Sequence, residues 1–495
     1  MTDRSAEPLG NGVELTLYCH GLGDCHLISL PASTSNDLSK PEEESAPPGD
    51  KRVWMMIDCG LHGSTKGGTQ IMTQLYAAIH EELKDQPSPK LAVVVLTHEH
   101  QDHNSGFNPS RGLFKDAKPD VGEVWLGWTE NPADPLGSQL DKYKSQAFGV
   151  LAASRERIDE LPGLAPVRNA WEAMIGFYRE DMAAADNADA GFALKGEITR
   201  TARDAAAKLS DPKPPRYLEP GDVIEVPGVD AVRCYVLAPP RNTKLLGLLD
   251  SATETFSAGS ASQPGLNALA NAIAVNEGTL SLDEDEASPF DGSEGMPLGK
   301  ALDEVAFLKE NYSNDPKRKI DHDWLLSASD LALQLDAKTN NSSLVLAIEI
   351  VASGHVLLFA ADAQVGNWKS WADVRFPAVA GRPATTGADL MARTVFYKVG
   401  HHGSRNATLK EGLERMCALE VAFNPTDRKM AQKVGWNDIP AERLNAELSR
   451  RTKGRLIESD LPWVIDRSRA IPISAGGALR AIGRGEGPSL KLVFD

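Results

Sequence analysis

The run Leu-Ala-Val-Val-Val-Leu at 91–96 leads without a break into Thr97-His98-Glu99-His100-Gln101-Asp102-His103. Its length and β-branched density predict a buried strand, too short for a typical helix. Open α/β sheets gather their ligands beyond the carboxyl ends of such strands. The residues that follow put three imidazoles and a carboxylate in that place. His98, His100 and Asp102 suit zinc, manganese or iron rather than calcium, and His103 extends the set to a second, neighbouring ion. Two-metal hydrolases hold their ions about 3.5–4 Å apart, so one loop can serve both. The bland alternative is a chance group of solvated side chains on a turn. Four such residues within six positions, directly after a strand, weigh against it.

Further short apolar runs at 53–58, 123–128, 232–237, 344–350, 356–361 and 394–399 predict strands, and 13–19 with 26–30 predicts a hairpin. Segments 69–84, 406–417 and 440–451 have helical spacing. Strands mixed with helices predict a layered α/β protein, a single domain over 1–495. Three stretches interrupt the pattern. Residues 139–215 have a helix-forming composition and end at the breaker Asp211-Pro-Lys-Pro-Pro215, which predicts a helical insertion. Residues 241–336 are rich in Gly, Ser and Asp and predict a loop-rich insertion with some helix at 298–311. Residues 33–51 read as a surface excursion between two strands.

A chain of 495 residues, 41% hydrophobic, can bury a large core without a structural metal, so a metal site here is expected to serve chemistry. The formal net charge of −17 repels polyanions and argues against a broad basic face that coats nucleic acid. It leaves a nuclease open, because bound metal ions supply local positive charge. Cys19, Cys25, Cys59, Cys234 and Cys417 are dispersed and form no metal-type pairs; three of them lie in or beside apolar runs and read as small buried hydrophobes. The first residues hold no apolar signal core, and no stretch approaches the roughly 20 apolar residues that span a bilayer. The expectation is a cytoplasmic protein without membrane association.

At His98-x-His100-x-Asp102-His103 the sequence resembles the metallo-β-lactamase superfamily. Within it, the chain is similar to the domains of competence-type DNA-internalisation proteins. The matching segments are Gly21-Leu-Gly23-Asp24, Ile57-Asp58-Cys59-Gly60, the His98–His103 cluster, Asn340-Asn-Ser-Ser343-Leu-Val345, Asp362 after an apolar run, and Lys398-Val-Gly-His401-His402-Gly-Ser404. The resemblance implies a four-layer αββα sandwich and two divalent metal ions, zinc or manganese. It makes Asp58 the residue that orients the metal loop and Asp362 the carboxylate that bridges both ions. Of the two late histidines, His401 follows its strand most directly and is the preferred metal ligand. His402, with Ser404, is left to meet a substrate phosphate or leaving group. Asp102 is expected to ligate and to orient the attacking water. The activity implied is that of a phosphodiesterase or nuclease, with a small phosphodiester favoured by the negative charge. Carboxyl ester, lactam or thioester hydrolysis is the alternative on the same site. A third reading is an effector subunit, with the insertions docking a protein partner or a second copy.

The chain departs from the resemblance at one point. Many superfamily members carry a lone histidine between the metal loop and the bridging aspartate. Here only His322 and His355 lie in that interval, one in the loop-rich insertion and one in a hairpin turn, and both read as surface residues. Asn340 or a solvent molecule is left to complete the first ion's shell. Asp24 reads mainly as a hairpin residue that lies near the site. His20, His26, His62 and His80 read as structural or loop residues, and Lys398 is expected on the opposite face of its strand. The acidic run Asp283–Glu286 reads as solvated, and Trp171 and Tyr178 as core.

Overall fold

The apolar runs become strands of two mixed sheets. The computed structural model describes residues 12–33, 51–63, 65–109, 119–160, 197–248, 296–312, 327–379, 381–433, 436–460, 473 and 476–495. The first sheet contains β1 (Val13–Tyr18), β2 (Cys25–Pro31), β3 (Arg52–Cys59), β4 (Leu91–Val95), β5 (Val121–Gly127) and β6 (Arg216–Leu218). The second contains β7 (Val223–Ile224), β8 (Val232–Ala238), β9 (Val345–Ile350) and β10 (Val356–Phe359). A small hairpin of β11 (Arg375–Phe376) and β12 (Thr385–Thr386) stands apart. The second sheet continues with β13 (Thr394–Lys398), β14 (Val421–Asn424) and β15 (Leu456–Glu458); β16 (Leu479–Arg484) and β17 (Ser489–Phe494) return to the first.

The orders are β16-β17-β1-β2-β3-β4-β5-β6 and β15-β14-β13-β10-β9-β8-β7. Strands β3 to β6 run parallel, as do β10, β13, β14 and β15. Strands β1 and β17 pair antiparallel, with Val13 opposite Phe494. Every residue of β4, β9, β10, β13 and β14 is buried. Strands covered on both faces read as continuous apolar runs, which is why these were visible as such.

The helices that bear on the site are α1 (Gly68–Leu83), α2 (Gln101–Asn104), α3 (Pro135–Glu160), α4 (Glu197–Ala207), α5 (Ser327–Asn341) and α6 (Val365–Trp371). One core cluster joins Leu15, Met55, Ile57 and Val93 of the first sheet to Leu346, Ile348, Phe396 and Phe423 of the second. A second packs Leu358 and Tyr397 against Trp368 and Trp371 of α6 and against Leu413 and Leu444. A third packs Leu27, Met56 and Val94 against Leu75 and Ile79 of α1 and Ala206 of α4.

Two helical expectations change. The 298–311 helix breaks at Val305, whose backbone is extended, into Leu298–Glu304 and Ala306–Asn311. The 406–417 helix shrinks to Lys410–Arg415, because the residues before it form turns below the paired histidines. Within the 139–215 segment, 139–160 and Glu197–Ala207 are helical and 208–212 form turns. Most of the 33–51 excursion, His322, Asp283–Glu286, Trp171 and Tyr178 lie outside the described residues. Among the described residues, no helix is long and apolar enough to cross a membrane.

Candidate metal centre

The carboxyl ends of β3, β4, β10 and β13 carry the candidate residues to one place. Asp58 is the last residue but one of β3, His98 to His103 follow β4, Asp362 follows β10, and His401 and His402 follow β13. The backbone is strained there. Asp58 (φ 55°), Ala361 (φ 48°), His401 (φ 41°) and His402 (φ 53°) are left-handed, a region that costs a non-glycine residue about 1–2 kcal/mol. Only Lys453 shares that property among the other described non-glycine residues. Strain of this kind persists where surrounding packing over-determines it, most often at functional sites.

His98, His103 and His402 are each tied back on one nitrogen and face neighbouring candidate residues with the other. The Thr97 hydroxyl donates to Asp58 Oδ2 at 2.7 Å and so accepts from His98 Nδ1 at 3.2 Å. That leaves His98 Nε2 facing His100 Nδ1 at 3.1 Å. His103 Nδ1 donates to Asp58 Oδ2 at 2.7 Å, while Nε2 stands 3.2 Å from Asp362 Oδ2. His402 Nδ1 donates to the Pro425 carbonyl at 2.6 Å, and Nε2 stands 2.7 Å from Asp102 Oδ2. A histidine that ligates a metal is held in just this way, its second nitrogen donating to a carbonyl or carboxylate. Asp58 also accepts from the Thr97 amide at 2.8 Å, which fixes the start of the metal loop.

Candidate ligand atoms therefore lie close together in three groups: His98, His103 and Asp362; Asp24, Asp58 and His103; and Asp102, Asp362 and His402. His401 is in none of them. Its amide donates to Asp362 Oδ1 at 3.0 Å, and its ring nitrogen Nδ1 meets Ser404 Oγ at 2.9 Å and Gln364 Nε2 at 3.2 Å. At 7% exposure it is the most accessible imidazole of the set, whereas His402 is fully buried.

Lys398 does not point to the far face of β13. A register shift in the β10–β13 pairing puts Phe396 into the core between the sheets, and Lys398 shares its face. The ammonium emerges at the edge of that core. There it donates to the Ala361 carbonyl at 2.9 Å, lies 3.5 Å from Asp362 Oδ1, and pairs with Asp24. Asp24 is thus part of the centre as well as of the turn, and its amide donates to the Asp102 carbonyl at 2.9 Å. Ser343 holds the other side, its hydroxyl accepting from the Asp362 amide at 3.3 Å. His20 is structural, with Nε2 at 2.7 Å from the Gly60 carbonyl. His62 packs edge-on to Trp436 and, pushed down to about 4 by burial, stays neutral.

The charge balance of the centre is unusual. Asp24, Asp58, Asp102, Asp336 and Asp362 are buried around one ammonium, that of Lys398. Burial, with Asp362 and Asp102 nearby, pushes the Asp336 carboxyl well above its usual range, and the remaining carboxylates still outnumber the ammonium. Burying unpaired charge is costly, so the site calls for cations. Protons on two imidazoles meet part of that demand. Burial works against a charged His103, but Asp362, Asp24, Asp58 and Asp102 outweigh it and raise its pKa well above the usual value. His402 is raised too, chiefly by Asp102, against the effect of burial. His100 and His401 go the other way: burial pushes them down to about 3 and about 4. Asp102 Oδ1, Asp24 Oδ1 and Asp336 Oδ1 are buried without a hydrogen-bond partner. Orphaned carboxylate oxygens beside imidazole nitrogens make a donor set that could hold a metal ion.

The metal loop is also held from the helical insertion. Glu99 is fully buried and meets Lys144 of α3 at 3.5 Å and Arg203 of α4 at 2.8 Å. The same two cations hold Glu130, at 3.3 and 3.1 Å. Asn104 Nδ2 donates to the Thr199 carbonyl of α4 at 2.8 Å. Sequence reasoning passed over Glu99, although a carboxylate between two buried histidines must find cations somewhere. It also passed over Asp336, on α5 inside the segment read as loop-rich. Comparison with protein-family models, with curated proteins and with solved structures gives no match.

Proposed function

We propose that the chain is a metal-dependent hydrolase of the metallo-β-lactamase fold that cleaves a phosphodiester, with a small substrate favoured over a polymer. The observation that carries this reading is the convergence of imidazoles and carboxylates from four strand ends, with candidate ligand atoms within reach of one another in three buried groups. The layer order, helices on the outer face of each sheet and one shared core between the sheets, supports the four-layer sandwich. The insertions then belong to one domain, since the helical one grips the metal loop through Glu99.

In this reading His98, His100, Asp102, His103, Asp362 and His402 are the residues that would hold the metal ions. His402 replaces His401 as the late ligand, because its Nε2 faces Asp102 while His401 turns toward Gln364 and Ser404. Zinc or manganese bound there supplies Lewis acidity and a water acidic enough to attack near neutral pH. The chain's own residues do the rest. Asp58 and Thr97 fix the tautomers of His98 and His103. Lys398 and the His401 amide hold Asp362 by Oδ1, which leaves Oδ2 turned inward. His401, neutral and nearest to solvent, is placed to accept or donate one hydrogen bond to a substrate oxygen. The phosphodiester itself rests on the Lys398–Ser404 resemblance, and the net charge of −17 argues against long polyanions.

The test is a metal analysis of the purified protein, followed by assays with Mn²⁺ or Zn²⁺ on bis-p-nitrophenyl phosphate, p-nitrophenyl acetate and plasmid DNA. Asp362→Ala and His98→Ala are the controls. Hydrolysis of the phosphodiester that both substitutions abolish is expected. Activity that survives both, or ester cleavage without diester cleavage, defeats the proposal.

A further inference from the structure

We infer that Arg203 is a positioning residue for the metal loop: through Glu99 it fastens the backbone between His98 and His100 to α4, so that the helical insertion sets how tightly metal is held. This rests on the metal-centre reading above and adds a control point to that site.

Glu99 is fully buried and stands between His98 and His100 in the chain, yet it belongs to none of the candidate ligand groups among the described residues. The imidazoles on either side of it meet each other, with ring centroids 4.8 Å apart. Its own Oε2 accepts instead from Arg203 Nη1 at 2.8 Å and from Lys144 Nζ at 3.5 Å. The main chain of Glu99 is tied to the same helix. Asn104 Nδ2 donates both to the Glu99 carbonyl at 3.1 Å and to the Thr199 carbonyl at 2.8 Å. Thr199 and Arg203 are one turn apart on α4, so side chain and backbone of Glu99 are both held from one face of that helix. A shift of α4 moves the backbone from which both imidazoles hang.

Arg203 is the centre of this attachment. Its Nη1 also lies 3.1 Å from Glu130 Oε2, just past β5, and 3.1 Å from Asp141 Oδ1 on α3. Lys144 meets Glu130 at 3.3 Å, and Arg200 meets Asp141 at 3.1 Å. The carboxylates of Glu99, Glu130 and Asp141 thus face Lys144, Arg200 and Arg203, with Asp204 bound to Arg203 at the exposed rim. Burial works against charge on Lys144 and Arg203, but the two glutamates outweigh it and hold both above their usual values. Glu99 is therefore neutralised from the insertion whether or not metal is bound, and its hold on the loop does not depend on the ions. Removing the guanidinium leaves Glu99 and Glu130 facing Lys144 alone. Breaking a buried charge group in this way is strongly unfavourable, and a shift of the loop relieves it.

The experiment is a double-mutant cycle on zinc affinity, read by titration calorimetry of the full chain. Arg203→Met is expected to weaken zinc binding by on the order of 10–100-fold, the usual effect of losing a group that orients metal ligands, with the number of ions at saturation unchanged. Glu99→Gln should also weaken it. Because Arg203 acts through Glu99, the double variant should lose no more than the worse single one. Arg203→Lys keeps the charge without the planar fork and should fall between the parent and Arg203→Met. Arg393→Met, which breaks the pair with Glu349 beside the β9–β10 turn, is the control for general softening and should leave zinc affinity as it is. Parent-like affinity in Arg203→Met overturns the inference, as do losses that multiply in the double variant or an equal loss in Arg393→Met. Loss of an ion in Glu99→Gln as complete as in His98→Ala also overturns it, because Glu99 would then be a ligand. Should Arg203→Met not fold, Arg203→Lys and Glu99→Gln carry the test, and parent-like affinity in both overturns it. An unaltered chain that binds no divalent ion overturns the metal-centre reading itself.

Discussion

Gly60 is the point at which the metal loop can be moved by a single methyl group. A Cβ built on it would stand 2.3 Å from the Asp102 carbonyl carbon and the His103 amide nitrogen, and 2.5 Å from the Asp102 oxygen. Ordinary contact begins near 3.4 Å, so the gap must widen by about 1 Å. Neither side is free to give. Gly60 donates to the Asp24 carbonyl at 2.9 Å and accepts from His20 at 2.7 Å; the Asp102 carbonyl accepts from the Asp24 amide at 2.9 Å. Relief means stretching one or two of those bonds, each worth about 0.5–1.5 kcal/mol, on top of about 1–3 kcal/mol for overpacking. Gly60→Ala is expected to lose roughly 2–4 kcal/mol in urea unfolding of the metal-free protein. The loop carries Asp102 and His103, and a displacement near 1 Å at a reacting centre costs about 100-fold. Zinc affinity by calorimetry should fall by that order. Gly149→Ala is the control: its Cβ meets nothing within 4 Å, it lies on α3, and the exchange should stabilise by about 0.5–1 kcal/mol. If Gly60→Ala unfolds within about 0.5 kcal/mol of the parent and binds zinc equally well, the close approach drawn here is wrong.

Three further outcomes are expected. His402→Ala should remove one bound ion in metal analysis, whereas His401→Ala should keep both and lose turnover; the reverse result would restore His401 as the ligand. Lys144→Met leaves Glu99 and Glu130 buried with Arg203 alone, and roughly 3–5 kcal/mol of stability should be lost in urea unfolding; a loss under 1 kcal/mol would mean that the network is hydrated. The pKa values of His103 and His402 are raised in the fold, so in the metal-free chain their contribution to stability is complete below about pH 6.5 and fades as pH rises through the folded values. Metal uptake must displace those protons, so zinc affinity should climb as pH rises above about 6.5 toward the raised folded values. Binding enthalpies that are identical in phosphate and Tris, whose ionisation heats differ, would contradict it.

The sequence displayed what local chemistry controls. A buried strand such as β4 announces itself because a strand covered on both faces excludes unpaired polar residues, and the turn at Asp58 and the loop at His98 follow directly from strand ends. What stayed hidden depends on backbone conformation or on distance along the chain. A one-residue register shift beside Val395 decides that Lys398 enters the centre, and spacing alone gave it the opposite face. Consecutive left-handed residues at His401 and His402 swing the second imidazole inward, so the histidine nearer the strand is not the one that meets Asp102. Glu99 finds Arg203 across 104 positions, and His100 finds Asp336 across a segment whose composition reads as loop.

These hidden features share a cause. Each of them costs free energy if taken by itself: four left-handed residues, a surplus of buried carboxylates, and an ammonium and several imidazoles without solvent. None could persist in a marginal fold. They are tolerated because the two sheets that meet at this edge are packed through an apolar core drawn from both, and because the loop ends are tied on every side, by Asp24 and Gly60 from the first sheet, Ser343 and Lys398 from the second, and Glu99 through α3 and α4. The helical segment beside the loop is therefore more than an appendage on the rim: it neutralises the one acidic residue inside the histidine cluster whose charge no cation at the centre is placed to balance.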